Sequence, residues 1–113
     1  MKNIYDQNGI KVDFVSNTGN EFIFCITNNT GEYFSYNVEN ISYNDFTTSE
    51  MDYDLFNKYI LNGCKALITV KPSDDFLAEN DITDVTKVDF SLKIRPSDDY
   101  VNDYSTDVFS FEL

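Results

Sequence analysis

The chain has 113 residues, 42% of them hydrophobic, with ten phenylalanines, eight tyrosines and neither tryptophan nor histidine. Twenty acidic residues against eight basic ones leave a formal charge of −12. The lack of histidine excludes Ser-His and Cys-His nucleophiles and His-ligated metal centres, and the charge opposes contact with phosphates, so no direct nucleic-acid binding is expected.

This length predicts a single domain over residues 1–113, with one core and no need of covalent staples. The Phe and Tyr content favours strands, because large flat side chains fit a half-buried pleated surface. Met1-Lys2-Asn3-Ile4 leads straight into strand-like sequence with no apolar leader, and no run reaches the length of a membrane span. Two locations stay open: cytoplasmic as written, or extracellular or envelope-attached as the trimmed globular part of a larger protein.

Ile4-Tyr5-Asp6 is a short first strand, and Asn8-Gly9 a type I′ turn signal. Ile10, Val12 and Phe14 then alternate with polar partners and share one face. Phe22-Ile23-Phe24-Cys25-Ile26-Thr27 is the densest apolar run in the chain. It stops at Asn28-Asn29-Thr30-Gly31, and a second run, Tyr33 to Val38, follows. The spacing predicts a hairpin over residues 21–43 at the centre of an antiparallel sheet. Phe34, Tyr36 and Val38 share one parity, Ile41 and Tyr43 the other, so a β-bulge near Glu39-Asn40 is expected to return both sets to one face.

Residues 49–61 read either as helix or as strand. Met51, Leu55, Tyr59 and Ile60 have helical spacing, with Ser49 as cap; the alternative is a hairpin turn around Asn62-Gly63. A helical turn or two over 49–56, followed by a strand, is the expectation, and this segment is a candidate cover for Ile23 and Cys25. Cys64 to Val70 is a strand. Ser73 should cap a short helix that Asn80 ends in the left-handed region. Val88, Phe90, Leu92 and Ile94 face inward on the next strand, and Phe109, Phe111 and Leu113 on the last. Lys71-Pro72-Ser73-Asp74-Asp75 and Arg95-Pro96-Ser97-Asp98-Asp99 look like one local solution used twice, with Pro ending a strand and Ser-Asp-Asp starting a turn. Cys25 faces away from Phe24, whereas Cys64 shares the inward parity of Ile68, so two free thiols are expected.

Seven to eight short strands with one or two short helical insertions predict an all-β fold, an immunoglobulin-like antiparallel β-sandwich. The order of features resembles the immunoglobulin-like, telokin-like domains of unknown function in surface lipoproteins of low-GC Gram-positive bacteria. The features are Tyr5 to Val12, Phe24-Cys25-Ile26-Thr27-Asn28-Asn29-Thr30, Val38 to Asn44, Asn62-Gly63-Cys64-Lys65-Ala66 and Asp81-Ile82-Thr83-Asp84-Val85. The resemblance implies the fold and an envelope location, and brings no catalytic residues with it.

No phosphate-binding loop, dinucleotide fingerprint or CxxC is present, and a non-enzyme is expected, with no cofactor unless calcium. Asn28-Asn29-Thr30 and Asn40-Ile41-Ser42 match the glycosylation sequon, as chance matches are expected to do in so Asn-rich a chain. Asp52-Tyr53-Asp54 has a calcium-like start without the rest of an EF-hand loop. Between Arg95 and Asp107 a long connection holds Asp98, Asp99 and Asp103, a candidate oxygen cage for calcium. Its Tyr100 and Tyr104 are candidates for partner contact. The expected function is a non-catalytic extracellular binding or spacer module of a bacterial surface protein, with a protein or cell-wall partner. Its rival, resting on charge alone, is a small acidic cytosolic inhibitor that mimics nucleic acid and blocks a basic partner.

Overall fold

Period-two alternation builds most of the molecule. The computed structural model describes residues 1–97, 99 and 101–113. Its strands are β1 (Lys2–Gln7), β2 (Ile10–Thr18), β3 (Glu21–Asn28), β4 (Phe34–Tyr43), β5 (Phe46–Thr47), β6 (Lys58–Ile60), β7 (Lys65–Val70), β8 (Lys87–Pro96), β9 (Tyr104–Ser105) and β10 (Phe109–Glu112). A 3-10 turn at Tyr53–Leu55 and one helix, α1 (Asp74–Glu79), complete the described elements.

One sheet has the order β1-β2-β3-β7. The other has β10-β8-β4-β5, with β6 also on β4 and β9 also on β8. All pairings are antiparallel. The chain crosses from β3 to β4 in the opposite sheet, returns to place β7 beside β3, and crosses again through α1 to place β8 beside β4. This is the Greek-key order of an immunoglobulin-like sandwich. The inward residues of both sheets form one core, among them Phe22, Phe24, Ile26 and Val70 facing Phe34, Val38, Phe90, Leu92 and Ile94. Phe24 and Phe90 meet edge to face across it, 4.9 Å between centroids.

Several local expectations hold. Asn8 and Gly9 both have positive φ, 55° and 81°, as a two-residue turn requires. Gly9 is also needed for space, since an added Cβ would lie 2.7 Å from the Asn29 carbonyl oxygen. The bulge in β4 is present: its register against β8 shifts between Glu39 and Ser42, and Asn40 has φ 57°. Tyr43 is thereby buried and Ile41 packs against the core. Ser73 caps α1, accepting the Phe76 N–H at 3.1 Å.

The central hairpin does not exist. β3 pairs with β2 and β7, whereas β4 pairs with β8, β5 and β6. Residues 28–33 turn a corner between the two sheets. The wholly buried Asn28 sets that corner. Its Nδ2 donates to the carbonyls of Glu32 (2.8 Å) and Ile60 (2.9 Å), and its Oδ1 accepts from the Thr30 N–H (3.0 Å) and hydroxyl (2.7 Å). Its backbone N–H donates to Cys64 O, and its carbonyl accepts from Gly63 N–H. A hairpin would have given these groups to β4 instead.

The helical turn expected within residues 49–56 is present as a single 3-10 turn at Tyr53–Leu55, followed by β6, but it is capped by Asp52 and not by Ser49. Leu55 enters the core and β6 pairs with the edge of β4, so the segment lies along the sandwich's side and not over Ile23 and Cys25. Cys25 is nonetheless buried, flanked in its sheet by Asp13 and Leu67. Asn80 ends α1 at φ −103°, and it is Asp81 that takes the left-handed value, 54°. Leu113 is exposed, because the sheet stops at Glu112. The two Pro-Ser-Asp-Asp stretches also part: Ser73 starts a helix, whereas Ser97 is left-handed (φ 44°) and donates to the Glu32 carboxylate at 2.6 Å.

Both thiols are free, but Cys64 is exposed and does not point inward, since β7 begins one residue later. A thiol reagent should therefore label Cys64 promptly in the native protein, and Cys25 only once denaturant is added. Two prompt labels would mean that Cys25 is not shielded by its sheet.

Candidate functional site

Past the bulge, β4 ends at Tyr43, and the chain doubles back as β5 through Asn44 and Asp45, both left-handed (φ 50° and 70°). The Thr48 N–H donates to Ile41 O at 3.0 Å, and the Thr48 hydroxyl accepts the Glu50 N–H at 3.1 Å, which turns the chain outward. Asp52 then accepts the Asp54 N–H at 3.0 Å and starts the 3-10 turn, which buried Leu55 pins to the core. The result is a groove of about 400 Å³ between this segment and residues 71–73. Ile41, Tyr43, Leu55 and Pro72 line it together with Glu50, Asp52 and Asp54; Met51 and Tyr53 line it too and are largely exposed. Lys71 also borders the groove, with its ammonium 3.3 Å from the Glu21 carboxylate.

Tyr43 is 2% exposed, and its ring meets the edge of Phe76 at 5.6 Å. Among the described residues its hydroxyl has no hydrogen-bond partner. Burial, then the charges of Glu50 and Asp52, hold its pKa far above the ordinary tyrosine value. Burial likewise raises Tyr36 and Tyr104. A raised folded pKa means that the folded state keeps its phenolic protons after the unfolded chain has lost them. Stability should then be level with pH below the ordinary value of 10.0 and fall above it. Melting temperature followed through that range should drop, and Tyr43→Phe should blunt the drop. An equal drop in the variant would remove Tyr43 as its source.

The groove belongs to a wider acidic pole. Residues 45–57 and 72–86 hold nine of the twenty carboxylates and no Lys or Arg. The two segments are tied together at one end of the sandwich: Asn44 Oδ1 accepts the N–H groups of Thr86 (2.9 Å) and Lys87 (3.1 Å), and its Nδ2 donates to Asp84 O (2.9 Å). The sheet faces, by contrast, carry charges beside their opposites, as in Lys11 with Asp13, and Lys93 and Arg95 with Asp103; Lys87 lies 2.7 Å from Asp45 of the first segment and 4.0 Å from Asp89.

The residues singled out in the sequence lie elsewhere. Asp98 and Tyr100 fall outside the described residues. Asp99 accepts from the Asn102 side chain and the Val101 N–H, bonds that hold its carboxyl below the usual range. Asp103 instead turns to Lys93 (3.7 Å) and Arg95 (3.8 Å). Among the described residues no three acidic or cysteine side chains are placed to share an ion. Tyr104 lies in β9 opposite Ile94, 38% exposed, and Thr106 exchanges two bonds with the Leu92 backbone. The connection is thus partly sheet. Of the sequon residues, Asn28 is wholly buried and Asn40 donates to the Ser91 hydroxyl at 2.8 Å. Sequence reasoning missed the groove. Its available signal was the cation-free acidic stretch 45–57 directly after a core tyrosine.

No protein family, curated protein or solved structure matches the chain. Among the described residues no helix is long and apolar enough to cross a membrane.

Proposed function

We propose that the chain is a non-catalytic binding module that presents its acidic pole to a cationic partner. The observation that carries this reading is the segregation of charge: paired charges on the sheet faces, and nine carboxylates in two segments that hold no Lys or Arg at one end, of which only Asp45 has an ion pair among the described residues, with Lys87 at 2.7 Å. Like charges gathered on one surface repel one another, and a cationic partner relieves that repulsion while being steered toward it. The resemblance of the sequence to telokin-like domains of surface lipoproteins supports an envelope location, with a protein or cell-wall partner. A rigid sandwich with its charge on connecting segments suits binding better than plain spacing. The module takes no cofactor. Calorimetric titration with calcium should give no heat, because Asp99 and Asp103 already serve different partners; heat abolished by Asp103→Ala would reverse that.

The decisive measurement is binding of polylysine to the immobilised chain. Asp74→Asn, Asp75→Asn, Asp81→Asn and Asp84→Asn together should weaken it strongly, and added salt should do the same. The charge-matched face variant Asp6→Asn, Glu39→Gln, Asp89→Asn, Glu112→Gln should bind nearly as the parent does. Equal loss in both would reduce the pole to net charge.

The same segregation favours a second reading, a cytosolic inhibitor that imitates nucleic acid. It requires that the chain displace DNA from a basic DNA-binding protein, with the pole variant failing to do so. Polylysine binding without DNA displacement would leave the envelope reading alone.

A further inference from the structure

Tyr43 brings a polar atom to the apolar part of the groove. The residue is 2% exposed, and its hydroxyl, which has no hydrogen-bond partner among the described residues, is not a buried unsatisfied atom but keeps contact with solvent at the groove. Glu50, Asp52 and Asp54 line the same groove, as do Ile41, Leu55 and Pro72. The nearest cation, Lys71, is occupied by Glu21 at 3.3 Å. The site thus offers an apolar channel, one hydroxyl acceptor at its floor and carboxylates at its rim.

The geometry points to a groove that takes an arginine or lysine side chain from a basic segment of a partner protein. The stem lies against Ile41, Leu55 and Pro72, and the charged head sits between the rim carboxylates and the Tyr43 hydroxyl. This rests on the reading that the acidic pole meets a cationic partner. The apolar stem and charged head of these side chains match a site with both kinds of wall. The volume of about 400 Å³ exceeds one such side chain, and the exposed Met51 and Tyr53 at the groove add apolar surface for the residues flanking it. Both features select a peptide over a bare polyamine, which lacks flanking apolar groups.

The probe is a capped fluorescent peptide carrying two arginines between apolar residues, followed by anisotropy at low salt. Its controls are the same peptide with citrulline in place of arginine, and spermidine as competitor. Glu50→Gln with Asp54→Asn should weaken binding about tenfold, the effect of losing charge-assisted contacts. Asp81→Asn with Asp84→Asn removes the same charge at the pole but outside the groove, and should cost no more than about twofold. Tyr43→Phe should keep the melting temperature at neutral pH and weaken binding about tenfold or more, as loss of one hydrogen bond to a cation does. The citrulline peptide should not bind. Equal losses from the two charge pairs would overturn the groove and leave the pole reading standing. Parent-like affinity in Tyr43→Phe would overturn the seating on the hydroxyl. Spermidine binding as tightly as the peptide would overturn the protein source, and no arginine-peptide binding by any version would overturn the groove and the pole together.

Discussion

Asn28→Asp is expected to cost about 3–5 kcal/mol, a large part of the roughly 5–15 kcal/mol that holds a domain of this size together. The parent amide donates to Glu32 O and Ile60 O and accepts twice from Thr30, all inside the corner between the sheets. An aspartate keeps the acceptor side and turns a carboxylate toward two carbonyl oxygens that have lost their donors. Both a buried charge and unsatisfied carbonyls result. Burial raises the pKa of such a carboxyl in the fold, so protons bind the folded variant more tightly than its unfolded chain. The deficit should therefore shrink as pH falls through the carboxylate range. Asn28→Ala should lose about 2–4 kcal/mol with no such pH dependence. Asn29→Ala, at an exposed neighbour whose backbone N–H alone is used, should be close to neutral. Urea unfolding of the three variants at two pH values checks this. A small, pH-independent loss in Asn28→Asp would show that the corner does not depend on the amide.

Phe24→Ala is expected to cost about 3–5 kcal/mol and to lower Tm by about 10–25 °C. Phe24 is fully buried, and its ring meets Phe90 at 4.9 Å, Phe14 at 5.9 Å and Phe111 at 6.1 Å. These contacts join β3 to β2 in its own sheet and to β8 and β10 across the core. Truncation removes the transfer energy of the ring, leaves a cavity that two hydrogen-bonded sheets cannot close, and ends three edge-to-face contacts. Phe24→Leu should recover more than half of the loss. Phe46→Ala, at an exposed ring of β5, should barely register, which separates burial from aromatic content. A Tm change below about 5 °C for Phe24→Ala would mean that the core is centred elsewhere.

The groove and the core are linked through Tyr43. Its ring packs edge to face against Phe76 of α1, while its hydroxyl lies at the groove. The bulge at Asn40 is what turns Tyr43 inward, so a feature of strand register also sets the floor of the candidate site. Removing the bulge by deleting Asn40 would return Tyr43 to the outer face and abolish the groove with it.

What the chain determined by itself is what a few adjacent residues decide. Asn8-Gly9 makes its turn because both residues accept positive φ, and Ser73 caps α1 because its hydroxyl reaches a free N–H three residues on. The change of parity after Val38 required a bulge, since side chains alternate strictly along a strand. Alternation also identified Val88, Phe90, Leu92 and Ile94 as core, and with the other strands the sandwich itself. Tertiary structure decided the rest. An Asn-Gly-rich link between two apolar runs serves a hairpin or a corner equally well. Here Ile60, Gly63 and Cys64, brought in from a later part of the chain, take the hydrogen bonds of Asn28 and make it a corner. The helical turn expected within residues 49–56 is held to Tyr53–Leu55, because Leu55 enters the core and β6 pairs with β4 soon after it, and burial and sheet hydrogen bonds outweigh weak local propensity. Cys64 had the parity of an inward residue but lies one position outside β7, where parity has no meaning. The groove was least legible of all. Its carboxylates are plain in the sequence, but only the doubling back of β4 into β5, and the arrival of residues 71–73 from the other sheet, bring them to one groove with Tyr43.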